Sequence, residues 1–185
     1  MNIQYQLAQN WCYAAVAVSF AQILGAEGPP TQGDLVEALN PAFPGSNDPS
    51  CAADPTQLRC SYLGNLEAAI ACYPALATAN PTGNLNSEVP ALSPSTLAAT
   101  LARDTLVAAL LIGDAGTLHY VVISALSIDG ICTVYNPWPR NAFSFAYVTP
   151  DLVPYTALIT GSHAGAVNDP RPWGRWRFTT PVWKP

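Results

Sequence analysis

Four side chains in this sequence could together perform acyl transfer: Gln6, Cys12, His119 and Asn136. Cys12 stands where the polar approach QLAQNW gives way to the apolar run CYAAVAVSFAQIL, at the predicted start of a largely buried helix. Unpaired backbone N–H groups and the positive end of the macrodipole favour an anion there, which lowers a thiol pKa from ~8.5 toward neutrality. A thiolate, unlike a thiol, attacks carbonyl carbon. Gln6 precedes Cys12 by six residues, so its amide and the Cys12 backbone N–H are expected to form a two-donor oxyanion hole. Downstream, His119 opens the apolar strand of TLHYVVISAL, and Asn136 ends the strand of ICTVYNPWP. Antiparallel pairing sets the two side by side, with His119 as general base and then acid, and Asn136 fixing the tautomer of its ring. Taken alone, Cys12 reads as an ordinary small core residue; the other three residues make it a candidate nucleophile.

The order of these pieces resembles the papain-like cysteine peptidases, most of all the compact bacterial members such as effector proteases and bacteriocin leader peptidases. The carrying motifs are Gln6 to Cys12, the strand His119 to Ile123, and the turn Asn136-Pro137-Trp138, so the resemblance spans about residues 3 to 140. It implies a catalytic triad of Cys12, His119 and Asn136, with Gln6 in the oxyanion hole and Trp138 shielding the His119–Asn136 contact. One departure stands out: the family usually carries Trp after the cysteine, whereas Tyr13 follows here and Trp11 precedes. The resemblance further implies a papain-like α+β fold with a cleft between its halves, a protein or peptide substrate, no cofactor and no metal. It also implies a bacterial effector or toxin, with a cognate inhibitor or immunity protein as a partner.

At 185 residues the chain is expected to be one domain, 1–185, able to bury ~70% of its unfolded surface, with a mainly helical half at 1–104 and a mainly β half at 105–185. A monomer is the default. Lys and Arg number 7 against 12 Asp and Glu, and a formal charge of −5 argues against nucleic acid as a partner, since neutralising phosphates needs clustered cations. The local exception is RPWGRWRF, where Arg171, Arg175 and Arg177 alternate with Trp173 and Trp176; the preferred reading is a terminal strand with Trp inward and Arg outward. Charged residues make up only 10%, so Ser, Thr, Asn, Gln and Pro must cover the surface, as in many exported bacterial proteins. The stretch MNIQYQLAQN has neither the basic region nor the apolar core of a cleavable signal, and the longest apolar run is too short to span a membrane. The expectation is a domain of a longer protein, or export by a route that reads no cleavable signal.

Along the chain, Gly25 and two prolines end the first helix. Thr31 begins a second, with Asp34 as a variant capping box and Asn40-Pro41 as its end. PAFPGSNDPSCAADP is a loop long enough to wall a cleft. Helices follow at Asn65 to Tyr73 and from Ser93 to about Asp104, with a strand near Val89. The period then changes: strands are predicted over Thr105 to Ile112, His119 to Leu126 and, after an Asp129-Gly130 hairpin, Ile131 to Tyr135, with further strands in FSFAYV and TALIT. Apart from Cys12, the cysteines Cys51, Cys60, Cys72 and Cys132 permit two disulfides, of which Cys51–Cys60 is the easiest to close; four reduced thiols are equally compatible. Zinc is disfavoured because no C-x2-C pair occurs. His163, beside Asn168 and Asp169, is the rival base.

Two other functions use the same residues. A transglutaminase-like acyltransferase or glutamine deamidase keeps the triad but changes the second nucleophile, and a catalytically dead module uses the cleft only to hold a peptide.

Overall fold

The near-continuous apolar runs Leu106–Ile112 (β3) and Leu118–Leu126 (β4) form the middle of a seven-stranded sheet. This computed structural model describes residues 1–39, 64–79, 89–114, 116–138, 147–162 and 173–185. The other strands are β1 Ala77–Thr78, β2 Val89–Pro90, β5 Ile131–Tyr135, β6 Asp151–Pro154 and β7 Arg175–Trp183. The helices are α1 Cys12–Leu24, α2 Gln32–Leu39, α3 Leu66–Ile70, α4 Pro94–Leu101 and α5 Tyr155–Thr160. Strand order is β1-β7-β3-β4-β5-β6, with β2 also on β7, and the pairings among the described residues are antiparallel. The chain is thus of the α+β class.

Period-two alternation sorts β3 between two cores. Leu106, Ala108 and Leu110 face Trp11, Phe20, Leu35 and Leu66, whereas Val107, Ala109 and Leu111 face Leu97, Leu158 and Trp176. Helices α1, α2 and α3 therefore cover one face of the sheet, and α4 and α5 the other. Each fully buried Leu, Ile or Phe contributes ~1.5–3 kcal/mol, so burial on both faces explains why β3 has no polar residue. Helix α1 packs directly on β4, which brings the start of one against the start of the other.

Local chemistry sets the helix ends. Thr31 and Asp34 cap α2 reciprocally, Asp34 Oδ2 accepting from Thr31 N and Thr31 Oγ1 accepting from Asp34 N, each at 3.2 Å. Asn65 Oδ1 accepts from Glu67 N at 2.7 Å, and Ser93 caps α4 with Pro94 in its first turn. Gly25 ends α1 in the left-handed region at φ 61°, which a side chain rarely adopts.

One element differs in kind from its prediction. TALIT lies in helix α5 rather than in a strand, because Pro154 closes β6 and Gly161 at φ 78° caps the turn that seats Ala157 and Leu158 in the second core. Short apolar runs fit either period, and packing decides. Strand β7 has Trp176 buried between exposed Arg175 and Arg177, as the alternation predicted, but it lies inside the sheet between β3 and β1. Tyr147 and Val148 carry no regular structure, and the rest of FSFAYV lies outside the described residues, as do Asn40-Pro41, Cys51, Cys60, His163, Asn168, Asp169 and Arg171. Among the described residues no helix is long and apolar enough to cross a membrane.

Candidate active site

Cys12 is the first residue of α1, and Trp11 precedes it without a side-chain cap, so no capping side chain competes for the first N–H groups of the helix. The site is assembled across the core: Tyr120 N donates to Cys12 Sγ at 3.5 Å over a separation of 108 positions. Cys12 is only 5% exposed. Burial pushes its thiol up to about 11, against the opposing pull of the N–H groups of Tyr120, Tyr13 and Cys12 itself. The helix start thus acts in the expected direction, but loss of water outweighs it, and the thiolate expected from sequence is replaced by a thiol.

His119, the neighbour of Tyr120, is also buried. Its Nε2 lies 2.8 Å from Asn136 Oδ1, and Trp138 N donates to that same oxygen at 3.0 Å. A backbone N–H can only donate, so the atom it meets is the amide oxygen, and an amide oxygen can only accept. Nε2 must therefore carry the ring proton, which leaves Nδ1 as the basic nitrogen. Burial lowers the His119 pKa to about 4, opposed by the Asn136 hydrogen bond. Trp138 meets the ring edge-on, with centroids 6.3 Å apart and planes at 81°. His119 and Asn136 do meet, but not as directly opposed partners: the β4–β5 ladder ends at Val122 and Tyr135, and Asn136, one residue beyond it, reaches His119 across an offset of two positions.

Gln6 reaches the same place with its amide turned differently. Its Nε2 donates to the carbonyls of Ala8, at 2.9 Å, and Gln9, at 2.5 Å, so both N–H groups are engaged by the turn that leads into α1. Gln6 Oε1 and Asn136 Nδ2 are buried without a hydrogen-bond partner among the described residues. Gln6, Leu7, Ala8, Gln9 and Trp138 line a cavity of about 390 Å³. As it stands, then, the Gln6 amide is turned toward the turn before α1 rather than held open as the donor expected from sequence.

Tyr13, where the resembled family has Trp, is fully buried, and its ring occupies the space above Gly64 that any Cβ would fill. Cys72 and Cys132 are free thiols, half-buried and buried respectively. Among the described residues no group of His, Cys, Asp and Glu could hold a metal ion. Sequence reasoning missed Gln32, buried in the first turn of α2 against the Gln6 segment; a glutamine on an otherwise apolar helix face was the only available signal. Comparison with models of protein families, with curated proteins and with solved structures finds no match to this chain.

Proposed function

We propose that the chain is a thiol-dependent hydrolase of peptide or isopeptide bonds, acting through an acyl-enzyme on Cys12 in a papain-like arrangement. The supporting observation is the convergence of three distant segments: Cys12 Sγ takes the N–H of the residue after His119, and His119 Nε2 meets Asn136 Oδ1 at 2.8 Å. In this reading His119 Nδ1 accepts the thiol proton as Sγ bonds to the substrate carbonyl carbon. The carbonyl oxygen takes the electron pair against the Cys12 and Tyr13 N–H groups. The tetrahedral species collapses with loss of the amine, which leaves with the proton from His119. Water, deprotonated by the same nitrogen, then releases the acid and restores the thiol. Because thiol and imidazole are both neutral at rest, proton transfer accompanies attack rather than preceding it. Incubation with a defined peptide mixture followed by mass spectrometry tests the reading: cleavage that Cys12→Ala and His119→Ala abolish supports it. Deamidation or amine crosslinking dependent on the same residues would transfer the site to acyl transfer. One observation favours a non-catalytic peptide-binding module instead, namely the burial of Cys12; peptide bound but never modified would establish that alternative.

A further inference from the structure

Residues Gln4 to Leu7 belong to no helix or strand, yet a single side chain bonds the backbone on both flanks of Gln6. Gln32 Nε2 donates to Tyr5 O at 2.8 Å, and Gln32 Oε1 accepts from Leu7 N at 3.0 Å. The amide thus reads the backbone around Gln6 as a neighbouring strand would. The second proton of Nε2 goes to Gln4 Oε1 at 3.1 Å. Gln32 is 1% exposed, so these bonds do not compete with water. From the other side Gln6 N donates to Pro137 O at 2.9 Å, which ties the segment to the Asn136 turn. Gln6 in turn grips the carbonyls of Ala8 and Gln9, and Ala8 O accepts from Trp11 N at 3.1 Å, one residue before the nucleophile.

We propose that Gln32 is a positioning residue: by clamping Tyr5 and Leu7 it fixes Gln6, and through Gln6 it sets the turn that aims Cys12 at its substrate. This inference rests on the proposed function. A packing role for Gln32 would alter stability without regard to Gln6; a positioning role must act through Gln6. The test is a double-mutant cycle with Gln32→Met, which keeps the side-chain length but removes the polar atoms, and with Gln32→Ala, each in the wild-type and Gln6→Ala backgrounds. Turnover of a cleaved peptide is measured once circular dichroism shows each chain folded. In the wild-type background both replacements are expected to lower kcat about 10- to 100-fold with KM little changed, and in the Gln6→Ala background to lower it no further. Gln32→Glu, which can still accept from Leu7 N, is expected to fall between. Equal losses in the two backgrounds, unchanged kcat, or a chain that folds with neither replacement would overturn the inference while leaving the Cys12 reading intact. A wild-type chain without turnover would remove both.

Discussion

Asn136 Oδ1 accepts from both His119 Nε2 and Trp138 N, and this double use decides which imidazole nitrogen is basic. Asn136 is neutral, so it orients the ring without stabilising its charge, and burial holds the His119 pKa near 4. Asn136→Asp would place a carboxylate against the ring and is expected to raise that pKa by ~1–3 units, moving the acid limb of the kcat/KM profile upward by the same amount. An unmoved acid limb would show that His119 does not set it. Toward a simple alkylating agent, without the His119-assisted proton transfer of the proposed reaction, Cys12, raised to about 11, reacts through its small thiolate fraction. Its alkylation rate should therefore climb steadily with pH toward that value, and a plateau across neutrality, read by iodoacetamide kinetics with peptide mapping, would reveal a preformed ion pair instead. That these residues come together was legible in the sequence because the proposed acyl transfer needs a nucleophile, a base and an orienter at element ends. Burial was not legible, since the solvation of Cys12 depends on Tyr120 and on the core around it, and this is why the predicted thiolate fails.

At the scale of elements, caps and turns carried most of the predictive weight. Thr31 with Asp34, Asn65 and Ser93 each mark a helix start through a side-chain oxygen that accepts a backbone N–H, a signal written within a few residues. Helix α5 was illegible because the apolar residues of TALIT fit either period, and only the position of Leu158 in the core decides. Close packing between elements sets a different kind of test. A Cβ on Gly64 would come within 2.2 Å of Tyr13 Cζ, and that buried ring belongs to the residue after Cys12. Gly64→Ala is therefore expected to cost ~1–3 kcal/mol in urea unfolding and to reduce turnover by displacing the start of α1. Wild-type stability and activity in that variant would mean that Tyr13 moves freely.

For the whole molecule, the buried site couples folding to pH. In the unfolded chain His119 titrates at its ordinary 6.5, and in the folded chain at about 4, so the unfolded state binds more protons between those values. Stability from this group is complete above pH 6.5 and is lost as pH falls toward 4, by about 3 kcal/mol in all. His119→Gln should flatten that part of the urea-measured stability profile, and a difference between the two chains that does not change with pH would contradict the burial argument. The α+β class was legible from helix-period segments giving way to strand-period ones. The covering of both faces of β3 was legible too, from its unbroken apolar run, but which helix meets which face was not, because each face of β3 is apolar. The central claim is that Cys12 forms a covalent intermediate driven by His119 and oriented by Asn136. An epoxysuccinyl peptide offered to the folded wild-type, Cys12→Ala, His119→Ala and Asn136→Ala chains, with the adduct mapped by mass spectrometry, tests it most directly. The account predicts one adduct, on Cys12, formed fastest by the wild type, more slowly by Asn136→Ala, and not above background by Cys12→Ala or His119→Ala. An adduct on Cys72 or Cys132, or one on Cys12 that forms equally fast without His119, would contradict it.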